Sequence, residues 1–242
     1  MTFQLDFPGN IVAFAGSAVG WMIVLVLLLL QFRKPSPTDK PALWKALLAL
    51  LAGMFSFSIQ TAWFGVPVKL ALLPIGVILL AVALRKRNRR SFYIRIGWIG
   101  FAANYVFLAV TLLSAAVHNG LYAKEKASTY LAELSQVRLI AIHPSGEPAS
   151  LDKERLQREL PELRPEAVDG LTWHREAIME NSPQYKQERF PYMLIGAKSS
   201  WGSGLRALIY IEADGKGLLI HSPDKDYYFR SESMLVERGG AA

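Results

Sequence analysis

The chain contains no cysteine, four histidines and, across residues 1–117, only two acidic side chains, Asp6 and Asp39. Absence of cysteine excludes disulfides, thiol catalysis, iron–sulfur clusters and cysteine-based zinc sites together. The histidines, 118, 143, 174 and 221, all lie in the second half and are too widely spaced for a helical or loop metal signature. A nucleophile elbow Gly-x-Ser-x-Gly is also missing, since Trp201-Gly202-Ser203-Gly204 has the wrong spacing. The glycine-rich stretch 196–204 lacks the lysine placement of a phosphate loop. Asp214, Asp224 and Asp226 can be imagined around a hard cation, but turn chemistry accounts for the same aspartates. These absences argue against an enzyme and give no reason to expect a cofactor or a metal.

Long uncharged runs are what the sequence has in their place. Hydrophobic residues make up 52% of the 242 positions, which is high for a water-soluble chain and low for one wholly in lipid. A bilayer core of about 30 Å takes roughly 20 apolar helical residues. Ile11–Leu30 and Ile96–Val117 each meet that length without a charge. Trp44–Leu84 is largely apolar too, but as one helix it would be ~60 Å long and must turn. Gly65-Val66-Pro67 is the natural break, with Trp63 and Phe64 suited to the interface. The expected architecture is therefore an α-helical membrane bundle of four transmembrane helices, at about 11–31, 43–63, 67–84 and 96–117. Within it, Pro74 should kink the third helix and Lys69 should snorkel from its first turn.

Charge is distributed unevenly. Residues 1–117 carry eleven Lys and Arg for a net of +9, while residues 118–242 carry a net of −2. The basic residues sit in short segments, Arg33-Lys34 to Lys40 and Arg85-Lys86-Arg87-Asn88-Arg89-Arg90. By the positive-inside rule these segments face the cytoplasm, and four crossings put both termini outside. Arg85, Lys86, Arg87, Arg89 and Arg90 are read as topology determinants in contact with anionic lipid head groups. A pI of about 9.6 thus belongs to loops, which removes the case for a nucleic-acid partner.

No ionisable side chain falls at mid-membrane depth, where proton- or ion-coupled transport would need one. Asn104 is expected to make an interhelical hydrogen bond. Gly16 and Gly20 are expected to allow close helix packing, within the bundle or between chains.

The second half reads as water-soluble. A helical stalk is expected at 118–137 and an α+β domain at 138–238, with 239–242 as a tail. Val137–Ile142 suggests a strand, and Ser150 an N-cap for a helix that ends before Pro161. The stretch 161–190 should be irregular around a strand at Leu171–Arg175. Tyr192–Gly196 is a further strand candidate, and Leu205–Glu212, Leu218–His221 and Asp226–Arg230 should form a three-stranded antiparallel β meander, turning at Asp214-Gly215 and at Ser222–Lys225. Trp201 stands in a loop as a candidate partner contact.

The function expected from this layout is that of a bacterial plasma-membrane protein without enzymatic activity. It would be a sensor or accessory subunit whose outer domain binds a partner protein, a wall component or a small ligand. A transporter or channel component, and a membrane-bound hydrolase using His143, His174 or His221 beside an acid, are the alternatives.

Overall fold

The computed structural model describes residues 9–33, 42–63, 66–86, 89–166 and 188–238. The chain divides into two compact units. One is Ile11–Leu121; the other is Tyr122–Ala242 together with Met1–Asn10.

In the first unit, α1 (Ile11–Phe32) and α4 (Arg90–Leu121) are long and apolar enough to cross a membrane. They pack antiparallel. Phe32 meets Phe92 at one end, Gly20 lies against Phe107, and Gly16 lies against Ser114 towards the other.

Between them the expected pair of spanning helices does not form. Its place is taken by α2 (Leu43–Met54), an antiparallel hairpin of β1 (Phe57–Trp63) and β2 (Val66–Leu73), and α3 (Ile75–Ala83). The physical reason is in the side chains. Phe55-Ser56-Phe57-Ser58-Ile59-Gln60 alternates apolar and polar with the period of a strand. A helix would scatter these groups around its circumference, whereas a strand sorts them onto two faces. The strands reverse between the paired residues Trp63 and Val66; Gly65 lies outside the described residues. Pro74 caps α3 at the strand-to-helix junction and so kinks no helix. Lys69 lies in β2 opposite Gln60, not in a helical turn.

Small residues hold this unit together. A Cβ on Gly53 would stand 2.0 Å from the Gly97 carbonyl oxygen, and one on Gly100 would stand 2.1 Å from that of Leu50. The backbones of α2 and α4 therefore touch, the packing favoured where lipid gives side chains no incentive to hide.

The second unit is α+β. Its six-stranded antiparallel sheet runs β3-β6-β7-β8-β9-β5, using β3 (Arg138–Ala141), β5 (Arg164–Glu166), β6 (Tyr192–Ile195), β7 (Leu208–Ile211), β8 (Gly217–His221) and β9 (Asp226–Arg230). A second small sheet pairs β4 (Ala149–Leu151) with β10 (Val236–Arg238). The expected meander is β7–β9, and β6, the separate strand candidate, pairs with β7 and extends it. Asp214-Gly215 turns β7 into β8, with Gly215 at φ 75° and the Asp214 carboxylate accepting from the Lys216 N–H at 2.8 Å.

Three local expectations are corrected. The stretch 118–137 is helical only through Leu121 and again in α5 (Ala127–Tyr130). The helix α6 (Lys153–Glu159) is capped by Asp152, whose Oδ1 accepts from the Arg155 N–H at 2.9 Å; Ser150 belongs to β4. Pro165, within the stretch expected to be irregular, sits in β5 at the edge of the sheet, where a missing donor is tolerated. The strand expected at Leu171–Arg175 lies outside the described residues.

The core of this unit packs Leu156 of α6 and Leu131 against Leu194, Ile209, Ile211, Leu218, Ile220 and Phe229 of the sheet.

Candidate functional site

The loop from β6 to β7 is held from beneath and open above. The Lys198 backbone exchanges hydrogen bonds with Glu133, and the Ser200 N–H donates to the Thr129 carbonyl at 2.8 Å. Ser199 Oγ donates to the Leu205 carbonyl at 2.7 Å, closing the loop on itself. Gly202 and Gly204 take positive φ, 74° and 66°, which lets the chain turn twice within three residues. Tyr122 Oη donates to the Trp201 carbonyl at 3.0 Å. The backbone of Trp201 is thereby fixed while its indole is left 63% exposed.

Beside this loop is a cavity of about 570 Å³, within the range of small-ligand sites. Its lining includes Tyr130, Glu133, Lys198, Trp201, Arg206 and Ile209. Lys198 is paired with Glu133 at 3.3 Å. Bonds from Ser135 and then Lys198 hold the Glu133 carboxyl below its ordinary pKa. Arg206 is exposed and has no hydrogen bond or ion pair among the described residues. The cavity therefore offers one uncommitted guanidinium, an aromatic face and a neutralised Lys–Glu pair. That chemistry suits a small ligand with an anionic group and a flat or apolar part.

The meander carries a second cluster. Glu212 accepts from Arg189 Nε at 2.7 Å, from Arg230 at 3.0 Å and from the Tyr228 hydroxyl. Arg230 also reaches Asp214 at 2.6 Å. Gly217 makes room, since a Cβ there would meet Glu212 Oε2 at 2.0 Å. Burial and then the Glu212 bond raise the Tyr228 pKa. Burial opposes ionisation of Asp214. The Lys216 N–H and the Arg230 guanidinium outweigh it and leave the carboxyl below its usual range. Two cations face two anions, every carboxylate is met, and the cluster is a clamp across the sheet rather than a receptor.

The remaining candidates are dispersed. His143 Nδ1 lies 2.8 Å from Ser145 Oγ inside one turn, and His221 pairs with Asp226 at 2.6 Å across β8 and β9. His118 is buried near the end of α4, and His174 is outside the described residues. Asp214, Asp224 and Asp226 each serve a different partner, Arg230, Lys124 and His221. Among the described residues no group of three metal-binding side chains converges.

In the helical unit, Asn104 Nδ2 donates to the Phe101 carbonyl at 3.0 Å and to the Met54 carbonyl of α2 at 3.3 Å. A Cβ on Gly16 would stand 2.1 Å from Ser114 Oγ, and one on Gly20 would stand 2.8 Å from the Phe107 ring, so both glycines admit α4. Arg85 and Lys86 are exposed after α3, and Arg89 and Arg90 are exposed where α4 begins. Arg87 lies outside the described residues. Arg206 was not singled out by sequence reasoning. Only its place five residues after Trp201 could have drawn notice, and a lone arginine in a strand-to-strand connection is unremarkable until its neighbours prove to be uncharged or already paired.

Comparison with protein-family models, with curated proteins and with solved structures yields no match, so the functional reading rests on this geometry.

Proposed function

We propose that the protein is a membrane-anchored, non-enzymatic receptor or accessory subunit whose α+β domain takes a small anionic ligand beneath the Trp201 loop. The observation that carries this reading is that Arg206, unpaired among the described residues, and the exposed Trp201 line one cavity of ligand size. The anchor is α1 with α4. Both have the length and apolarity of spans, and exposed Phe14, Met22, Leu29, Leu113 and Val117 give them an outer surface suited to lipid tails. The antiparallel pairing of α1 and α4 gathers Arg33, Arg89 and Arg90 at one end of the unit. By the positive-inside rule that end is cytoplasmic, with anionic head groups as its contact, and the α+β domain lies outside the cytoplasm.

The test uses the full chain in lipid nanodiscs, titrated with inorganic phosphate, citrate and a phosphosugar while the melting temperature of the α+β unit is followed. A saturable rise for at least one anion is expected, weakened about tenfold by Arg206→Ala, the size of one charge-assisted hydrogen bond. The same response in wild type and Arg206→Ala would overturn the site. Orientation is read separately. Single cysteines at the exposed positions Ser91 and Glu232, probed in cells with an impermeant thiol reagent, should label at 232 alone.

A further inference from the structure

The β1–β2 ribbon has two strands only, and its two edges differ. In an antiparallel ribbon every second residue turns its N–H and C=O away from the partner strand. The pairing closes on Trp63 and Val66, with two residues between. The outward backbone groups of β1 therefore belong to Ser58, Gln60 and Ala62, and those of β2 to Pro67, Lys69 and Ala71.

The β2 edge is blunted. Pro67 has no N–H to offer, the Ala71 carbonyl accepts from the Tyr105 hydroxyl of α4 at 2.6 Å, and Ala71 is buried. The β1 edge has no such cover. No hydrogen bond among the described residues reaches the outward groups of Ser58, Gln60 or Ala62, and Gln60 and Ala62 are exposed.

The apolar side chains around that edge, Phe55, Phe57, Ile59 and Trp63, are 61, 53, 52 and 43% exposed. On the membrane reading proposed above, this inference places the edge against lipid. An open sheet edge is not tolerated there, because each unmet backbone group costs several kcal/mol. Only another strand offers donors and acceptors at the right spacing.

We propose that the strand is β1 of a second copy. Phe57–Trp63 of one chain pairs antiparallel with Phe57–Trp63 of another about a two-fold axis at Gln60. The result is a four-stranded sheet in the order β2-β1-β1-β2. Register and charge both favour this occupant. With Gln60 opposite Gln60, Ser58 faces Ala62, so every outward residue meets an outward residue and the edge is its own complement. Phe57–Trp63 carries no charge, whereas pairing through β2 about its middle outward residue would set Lys69 directly against Lys69. Pairing through β1 keeps those two ammonium groups three strand spacings apart, roughly 14 Å.

The natural absence of cysteine makes the test direct. Gln60→Cys in the full chain, oxidised in native membranes, should give a reducible dimer. Directly opposed residues of an antiparallel pair lie about 5.5 Å apart at Cα, within reach of a disulfide. Lys69→Cys should give none. Gln60→Pro removes only an outward N–H, so it should convert the wild-type dimer seen by mass photometry in nanodiscs into a monomer with unchanged helix content. A monomeric wild-type chain with no Gln60→Cys crosslink would overturn the pairing, as would a crosslink from position 60 to a different protein. Resistance of the chain to carbonate extraction is scored alongside. A retained monomer therefore defeats the pairing alone, while a released chain defeats the membrane reading.

Discussion

The two units solve the packing problem in opposite ways. In Tyr122–Arg238 the fully buried side chains are large, among them Phe229, Leu131, Leu156, Ile211, Leu218 and Ile220. In Ile11–Leu121 more than half of the buried positions are Gly or Ala, including Gly20, Ala46, Ala49, Gly53, Gly97, Gly100 and Ala103, while many of its large apolar side chains, such as Phe14, Trp44, Leu51 and Leu113, are exposed. Water rewards hiding a large apolar side chain, at about 25 cal/mol per Å². Lipid gives no such reward, and what holds helices together there is close backbone approach. One chain thus carries two kinds of core, and the first is the kind that suits the membrane anchor proposed above.

Substitutions that exchange the two strategies should fail, and most severely in the helical unit. Gly100→Leu places a side chain where even a Cβ would meet the Leu50 carbonyl oxygen at 2.1 Å. Both neighbours are backbone and cannot step aside, so separation of α2 from α4 is expected, read as loss of the monodisperse folded species in detergent. Gly120→Ala in the same helix has nothing within 4 Å and should leave stability unchanged or slightly raised. Next in size is Phe229→Ala in the sheet core, where the residue is 1% exposed. A loss of about 3–5 kcal/mol is expected in urea unfolding followed by near-ultraviolet circular dichroism, with the helical signal of α1 and α4 retained.

The smallest effect is electrostatic and should appear only in the α+β unit. The lowered pKa of Asp214 contributes stability that is complete above its ordinary value of 3.8 and is lost as the pH falls below it. Tyr130 has the opposite sign: burial pushes it up to about 12, so its contribution is complete below 10.0 and disappears as the pH rises beyond that. A thermal-stability plateau between about pH 4 and 10 is expected. Asp214→Asn should flatten its acid limb; an unchanged acid limb would show that the Arg230 pair contributes nothing.

Local periodicity explains which parts were legible. The meander could be read because alternating residues and Asp214-Gly215 specify strand and turn within a few positions. The hairpin β1–β2 could have been read the same way, from Phe55-Ser56-Phe57-Ser58-Ile59-Gln60. Summing hydropathy along Trp44–Leu84 discards period, and a lipid-length window then makes a helix–strand–helix segment look like two spans. The N-cap was misplaced by two residues because Ser150 and Asp152 are both good caps. Pairing of Ala149–Leu151 with Val236–Arg238, 85 or more residues away, decided between them.

Composition and order in the sequence by themselves determined that the chain has no thiol chemistry, that two stretches are long and apolar enough to span, and that the basic residues crowd the turns of the first half. Those properties depend on residue type and on neighbours within one helical span. The tertiary structure alone decided that, among the described residues, Arg206 is left unpaired on the cavity that Trp201 also lines, that Arg189, Glu212, Asp214, Tyr228 and Arg230 close into a neutral clamp, and that β1 keeps a bare edge while β2 does not. Each of these depends on which partner arrives from far along the chain to satisfy a charge or a backbone group, and no local pattern records that.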